Sequence, residues 1–231
     1  MDISERNLRE IYLKPYKRAV DAGVYSIMTA HHEINGVPCV MNDYLMNAIV
    51  RNEYGFEGFF VSDWLDIERL EDLHRVAKDL DEASALAVNA GTDMHMHGPG
   101  FLESVLKANE QGVIPTSRIE DACRKILLAK FKLGLFENPF IDLKTVQNKI
   151  FTESHQQTAL EMARKSIVLL KNDGILPFAS KKQKILVTGP NANNNTILGD
   201  WVFAQPEENV TTIYEGIQSI GESYGLSLIH I

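Results

Sequence analysis

The segment from Phe59 to Trp64 is the feature that most constrains how this chain can fold. It is a short run of aromatic and β-branched residues that ends abruptly in the carboxylate of Asp63 and the indole of Trp64. Such runs are typical of strands buried in a parallel sheet, and in a barrel of alternating strands and helices the carboxyl end of each strand faces the active site. The pattern therefore predicts Asp63 at the mouth of a pocket. The alternative is a strand followed by an aspartate that caps a helix.

Predicted strands and helices alternate through the first part of the sequence. The strands are expected at residues 26–30, 59–62 and 92–96, and the helices at about residues 2–21, 43–53, 80–90, 101–111 and 118–133. Capping-box patterns at Asp2 to Glu5, and at Ser117 with Glu120, predict the starts of the first and last of these helices. Turn residues within segment 31–42 predict a loop. This alternation indicates parallel β/α units and therefore an α/β fold.

A second domain is predicted beyond Gly134, where the pattern loosens. Residues 137–152 are a mixed stretch that indicates an interdomain linker. Helices are then expected at about residues 154–165 and 212–223, and strands at 167–170, 184–188 and 226–231. The predicted limits are 1–136 for the first domain, 137–152 for the linker and 153–231 for the second domain.

Composition excludes several classes of function. The chain carries a net charge of -8, whereas nucleic-acid binding relies on clustered Lys and Arg, so no nucleic-acid partner is expected. No apolar run approaches the roughly 18 residues that span a bilayer. No signal peptide is visible, and the chain is expected to begin within a longer protein. Cys39 and Cys123 lie far apart and lack metal-binding spacing, so both are predicted to be buried thiols.

Several further motifs occur in a definite order along the chain. They lie at residues 26–39, 58–64, 90–96, 124–136, 163–172 and 189–192. Each motif is weak by itself, but the ordered series, which includes Ser62-Asp63-Trp64, resembles glycoside hydrolase family 3, the β-glucosidase and β-xylosidase group. The resemblance covers the chain from about residue 2 to about residue 225.

The resemblance implies a particular part of a larger fold. Only three strand–helix repeats precede Gly134, whereas a closed barrel needs eight. Residues 1–136 are therefore expected to be the C-terminal part of a TIM-type (β/α)8 barrel, with the first five units upstream. The second domain would be the truncated beginning of the family's α/β sandwich.

The resemblance also implies a mechanism. In this family the aspartate of the Ser-Asp-Trp motif is the nucleophile of a retaining reaction, a role that falls on Asp63. Retaining glycosidases pair such a nucleophile with a second carboxyl group about 5–5.5 Å away. That acid/base glutamate is expected well inside the second domain and outside this chain, because Glu207 and Glu208 fall too early. No cofactor and no metal are expected.

Three side chains are candidates for binding sugar. Trp64 would stack on a sugar ring, or it is a core aromatic residue at the end of a strand. His31 stands where the family often has tyrosine and would donate a hydrogen bond in the pocket, or it is a polar residue at a strand end. Trp201, in a glycine-containing loop of the second domain, would line an outer subsite, or it simply packs against its neighbours.

The expected function is that of an exo-acting β-glucosidase that releases terminal non-reducing β-D-glucosyl residues from β-glucosides or oligosaccharides. The isolated chain is expected to be inactive. One alternative is a β-xylosidase of the same family, and another is a sugar-binding relic without catalysis. A third is a zinc-dependent barrel hydrolase that uses His31, His95 or His97. Paired histidines in those enzymes belong to the first strand, which disfavours that interpretation.

Family habit supplies the remaining expectations about the protein's surroundings. Members often act in the periplasm or outside the cell, so that is the expected location, with the cytoplasm left open. No membrane partner is expected. The oligomeric state and the choice between glucose and xylose stay open.

Overall fold

The computed structural model describes residues 1–146, 148–178, 184–197, 199, 201–203, 205–225 and 227–230, with backbone alone at 222, 223 and 230. The chain divides into two compact units, Met1–Asn148 and Lys149–Ile231. The division falls within the predicted linker, while the predicted domain limits themselves stay a prediction. Within the described residues, no helix is both long enough and apolar enough to cross a membrane.

The first unit follows the predicted alternation of strands and helices. Its helices are α1 (Glu5–Asn7), a π-helical turn Leu8–Tyr12, α2 (Lys14–Asp21), a 3₁₀ turn Cys39–Met41, a π-helix Tyr44–Glu53, α3 (Arg69–Asp72), α4 (Leu80–Ala90), α5 (Phe101–Glu110), α6 (Thr116–Lys132) and α7 (Leu143–Val146). Its strands are β1 (Ser26–Met28), β2 (Glu33–Ile34), β3 (Val37–Pro38) and β4 (Phe59–Val61).

Two predicted helix starts differ from the structure. Ser4 caps α1, since its Oγ accepts the backbone N–H of Asn7 at 3.2 Å. Helix α6 begins at Thr116 after Pro115, so Ser117 lies inside the helix and caps nothing. Proline with an extended backbone is a suitable residue before a helix, because its ring clashes with a helical conformation of the preceding residue.

The site is positioned by a parallel pairing of β1 with β4. Ile27 pairs with Phe60, and both side chains are buried. The predicted third strand at 92–96 is reduced to one parallel bridge between Val61 and Met94. The reason is local: the Asp93 carboxylate, rather than a backbone carbonyl, accepts the N–H of Phe60 at 2.9 Å.

The predicted loop after β1 contains a short hairpin. Strands β2 and β3 pair antiparallel, with Ile34 opposite Val37. Asn35 and Gly36 between them both have positive φ, at 52° and 82°. Such pairs form the type I′ turns that suit the twist of a two-residue hairpin. The hairpin begins two residues after His31 and forms part of the same loop.

The core of the first unit lies between this parallel pair and the surrounding helices. One cluster joins strand and helix residues; its buried members are Ile27, Met46, Val50, Phe56, Phe60 and Ala90. Gly58 lets β4 approach β1, because a Cβ at this position would lie 2.1 Å from the carbonyl oxygen of Tyr25. The position directly before β4 therefore tolerates no side chain.

The second unit contains a parallel β-α-β arrangement. Helix α8 (Glu153–Ser166) comes first, and strand β5 (Lys184–Val187) then pairs in parallel with β6 (Ser227–His230) across helix α9 (Ile213–Tyr224). The strand predicted near the C-terminus is therefore present. The strand predicted at 167–170 has no pairing partner among the described residues, and Leu170 is 92% exposed.

A buried ion cluster around Asp93 joins three elements of the first unit. The Asp93 side chain is fully buried and contacts Arg51 at 2.5 Å, Arg118 at 2.7 Å and Lys125 at 3.3 Å. These cations come from the π-helix and from α6, while Asp93 also bonds β4. A buried carboxylate with several partners stabilises a fold only while all of them are present.

We predict that Asp93→Asn lowers the free energy of unfolding by about 3–5 kcal/mol, because Arg51 would lose its buried carboxylate partner. Arg118 and Lys125 would be left to share the carboxylate of Asp121. Urea unfolding followed by circular dichroism measures the change. Asp72→Asn, an exposed aspartate in α3, is the control and should be nearly neutral. A loss below about 1 kcal/mol for Asp93→Asn would show that the cluster is dispensable.

Candidate active site

Asp63 lies just beyond the carboxyl end of β4, as the sequence predicts. The preceding residue, Ser62, is fully buried and holds the chain in place. Its N–H donates to the carbonyl of Met94 at 2.9 Å, and its Oγ accepts the N–H of Met96 at 3.0 Å. Ser62 thereby joins the ends of two neighbouring segments, and the backbone at Asp63 is firmly positioned.

Both carboxylate oxygens of Asp63 have a hydrogen-bond partner. Oδ1 accepts the backbone N–H of Trp64 at 2.6 Å, and Oδ2 lies 2.9 Å from Nε2 of His31. The side chain is 24% exposed. A carboxylate that accepts two hydrogen bonds is held in one orientation. Asp63 is thus an oriented carboxylate with access to solvent.

His31 lies between two carboxylates. Its Nε2 faces Asp63, and its Nδ1 lies 2.9 Å from Oδ1 of Asp66. The other oxygen of Asp66 accepts a hydrogen bond from the Thr29 hydroxyl at 3.3 Å. Nε2 of His74 lies 3.1 Å from the backbone carbonyl of His31. Both the ring and the backbone of His31 are therefore held by named contacts.

Asp66 is a residue of the candidate site that the sequence analysis did not identify. Its side chain is 1% exposed, and burial raises the pKa of its carboxyl, while the hydrogen bond and charge of His31 oppose that shift. The residue follows Asp63 by three positions through a turn in which Leu65 has a φ of 56°. Only a second aspartate close to the first was visible in the sequence.

Trp64 presents its indole to solvent beside Asp63. The side chain is 52% exposed, and one face stacks on the imidazole of His97 with centroids 3.8 Å apart and planes 16° apart. The N–H of Leu65 donates to the carbonyl of His97 at 3.1 Å, which ties the two loops together. An exposed indole that is held by stacking on a neighbouring ring is a suitable surface for the apolar face of a sugar ring.

Trp201 belongs to the second unit, where its side chain is 99% exposed. Its place in a sugar subsite stays a prediction.

The histidines of the zinc alternative have other partners. Nε2 of His95 lies 3.3 Å from the Glu68 carboxylate, and its ring stacks on Phe101 with centroids 4.4 Å apart. His97 stacks on Trp64, and His31 bridges two aspartates. Among the residues that the structure describes, no group of three or more His, Cys, Asp or Glu side chains is arranged to hold a metal ion.

The two thiols lie in different environments. Cys39 is buried, as predicted, and burial raises its pKa to about 11. Cys123 is exposed on α6, so the prediction of a buried thiol was wrong there. The helix is long and only Ala122 is buried along it, which leaves Cys123 facing away from the core of the unit.

Comparison with known families identifies the family of the chain that carries this site. Residues 1–129 match the family model "Glycosyl hydrolase family 3 N terminal domain", and residues 167–224 match "Glycosyl hydrolase family 3 C-terminal domain". The chain belongs to glycosyl hydrolase family 3. The resemblance drawn from the ordered motifs is therefore confirmed.

Individual members of the family are similar over most of the chain. A β-xylosidase of Formosa agariphila is 42% identical over 83% of this chain and 28% of its own length. A periplasmic β-glucosidase of Salmonella typhimurium is 33% identical over 95% of this chain and 29% of its own length. The crystal structure of a β-glucosidase from Listeria innocua in complex with glucose superposes with a TM-score of 0.82 at 28% identity, over all of this chain and 32% of that one.

These similarities bear out the mixed α/β class. The chain spans less than a third of the length of the relatives that it matches. The finer division, into the end of a barrel and the start of a sandwich, stays a prediction.

We predict that Asp66→Asn gains stability relative to the parent protein as the pH rises. The folded-state pKa of Asp66 lies above its ordinary value of 3.8. Its carboxyl therefore favours the folded state fully below pH 3.8, and this contribution is lost as the pH rises through the raised pKa. Asparagine does not titrate. Thermal unfolding of both proteins between acidic and neutral pH tests this, and a difference in Tm that is constant with pH would contradict it.

Proposed function

We propose that the protein is a retaining exo-β-glycosidase, specifically a β-glucosidase, in which Asp63 is the nucleophile. The observation that carries the proposal is the state of the Asp63 carboxylate: it is oriented by hydrogen bonds at both oxygens, open to solvent and beside an exposed indole. A nucleophile in this reaction has to be ionised and positioned by a stiff element. The end of a buried strand meets the second need.

The proposed reaction has two steps. In the first, an oxygen of Asp63 forms a bond to the anomeric carbon while the bond to the leaving oxygen breaks, and that oxygen takes a proton from the acid/base glutamate. In the second, water attacks the anomeric carbon, its proton goes to the same glutamate, and the electron pair of the broken ester bond returns to Asp63. We assign the glutamate to a part of the protein outside this chain.

Trp64 and His31 would shape the glycosyl subsite, and Trp201 the leaving-group side. The exposed face of the Trp64 indole is the apolar surface, and Nε2 of His31 lies 2.9 Å from the nucleophile, where a hydrogen on this nitrogen would donate to it. Glucose as the substrate sugar is supported by the β-glucosidases of Salmonella and Listeria. A periplasmic or extracellular location is supported by the periplasmic Salmonella relative.

A β-xylosidase is the second candidate function. It is favoured by the Formosa relative, which at 42% identity is more similar to this chain than the Salmonella β-glucosidase. Both candidates use the same chemistry and differ in the sugar that fits between the nucleophile and the indole.

Covalent trapping tests the nucleophile and the sugar together. The complete gene product is incubated with 2-deoxy-2-fluoro-β-glucosyl or β-xylosyl donors that bear a good leaving group, and the labelled peptide is mapped by mass spectrometry. We expect the label on Asp63, and faster labelling by the glucosyl donor. Faster labelling by the xylosyl donor would favour the β-xylosidase, and sugar binding without any label would indicate a non-catalytic relic.

We predict that Asp63→Asn abolishes labelling and lowers kcat by roughly 10⁴- to 10⁶-fold, because an amide cannot form the glycosyl ester. Steady-state hydrolysis of an aryl glucoside measures the loss. Asp72→Asn, which exchanges an exposed aspartate in the same way, should label and turn over normally. Retention of more than about a tenth of the activity in Asp63→Asn would assign the nucleophile elsewhere.

We also expect the isolated 231 residues to hydrolyse glucosides negligibly. The proposed acid/base lies outside them, and the relatives are more than three times as long as the part matched here. A side-by-side assay of the chain and the complete gene product measures the difference. Comparable turnover by the two would show that this chain contains its own acid/base.

A further inference from the structure

A buried carboxylate beside the nucleophile has no part in the proposed reaction steps. The Asp66 side chain is 1% exposed, and its polar contacts are with the His31 imidazole and the Thr29 hydroxyl. Burying a carboxylate with few partners is costly. Buried titratable groups with shifted pKa values are concentrated at functional sites. The position of Asp66 next to His31 therefore indicates a function at this site.

The three side chains form a continuous line of hydrogen bonds. Oδ1 of Asp66 lies 2.9 Å from Nδ1 of His31, and Nε2 of the same ring lies 2.9 Å from Oδ2 of Asp63. Each ring nitrogen therefore faces one carboxylate. Because a neutral imidazole has one donor and one acceptor nitrogen, the protonation of one end decides what the other end can do.

Asp66 in its protonated form decides which ring nitrogen of His31 carries the hydrogen, and burial raises the pKa of the Asp66 carboxyl. A protonated Asp66 donates to Nδ1, so the single hydrogen of a neutral ring is on Nε2. In this arrangement Nε2–H points at Asp63, whereas the opposite tautomer would place a lone pair against the carboxylate of the nucleophile.

We propose that Asp66 is a positioning residue that keeps a hydrogen on Nε2 of His31, aimed at Asp63, and thereby speeds hydrolysis of the glycosyl-enzyme. The proposal rests on the proposed function. When water attacks the anomeric carbon, the bond from that carbon to Asp63 breaks and its electron pair returns to the carboxylate. A donor at Oδ2 stabilises this returning charge, while the proton of water leaves to the acid/base glutamate.

This role has a kinetic signature that a purely structural role lacks. A hydrogen bond to the free carboxylate stabilises the nucleophile before attack as well as the carboxylate being released. Its loss therefore slows the second step and does not slow the first. With an activated aryl glycoside the glycosyl-enzyme would accumulate, so that kcat and KM fall together and kcat/KM changes little.

Asp66→Leu in the complete gene product removes both hydrogen-bonding oxygens but keeps the branching of the side chain at Cγ. With dinitrophenyl β-glucoside we expect kcat and KM to fall together by roughly 10- to 100-fold, the effect of a hydrogen bond to a charged group. The 2-fluoroglucosyl-enzyme should regain activity more slowly by the same factor. Asp66→Ala replaces this variant if circular dichroism shows that Asp66→Leu does not fold.

Asp66→Asn is the conservative variant that should restore the hydrogen bond to His31. Its amide can donate to Nδ1 and accept from Thr29, which leaves the hydrogen of His31 on Nε2, so most of the reactivation rate should return. Asp72→Asn, exposed on α3, is the matched control for a change of aspartate to asparagine. Equal losses in Asp66→Leu and Asp66→Asn would overturn the role in selecting the tautomer.

The His31→Tyr background isolates the pathway through the ring. A tyrosine hydroxyl donates to Asp63 without a partner at Nδ1, so adding Asp66→Leu there should change reactivation by less than about 3-fold. If Asp66→Leu slows reactivation as much in that background as in the parent protein, the proposal is overturned. A fall in kcat/KM at constant KM would also overturn it.

If the parent protein takes no label on Asp63, the proposed function itself fails. If it takes the label and Asp66→Leu reactivates at the parent rate, the role of Asp66 alone is refuted.

Discussion

The parallel pairing of β1 with β4 is the constraint on which the site depends. The register places Met28 beside Val61, and the N–H of Thr29 donates to the carbonyl of Val61 at 3.0 Å. Both strands therefore end at the same level, and the residues that follow them leave the sheet side by side. His31 and Asp63, far apart in the sequence, meet for this reason. A shift of the register by one residue would send alternate side chains to the opposite face and separate them.

Two buried aspartates near this edge of the sheet show how differently a buried charge can be used. Asp93 faces two arginines and a lysine and joins β4 to the surrounding helices, so its charge is compensated and structural. Among the residues that the structure describes, Asp66 contacts an imidazole and a hydroxyl, and burial raises its pKa. A carboxylate with so little compensation lowers stability near neutral pH. Natural proteins accept such a cost mainly where function requires it.

Much of the architecture follows from local patterns, and several details do not. Helix α4 and strands β1 and β4 lie where the periodicity and β-branched runs predict them, and Asp63 lies at the predicted strand end. The predicted third strand is a single bridge, because the Asp93 carboxylate takes the place of a backbone carbonyl as the acceptor for the N–H of Phe60. The segment 167–170 is β-branched and apolar, yet a strand also needs a neighbour to pair with, and sequence pattern carries no information about that neighbour.

The sequence by itself determined the class of fold, the family and the residue proposed as nucleophile, because apolar periodicity, turn residues and ordered motifs are properties of neighbouring positions. The tertiary structure decided which side chains surround that residue. The contact of His31 with Asp66 requires the register of β1 on β4 and the left-handed turn at Leu65. The stacking of Trp64 on His97 requires two loops to meet. Such contacts depend on backbone geometry between distant segments, which no single stretch of sequence encodes.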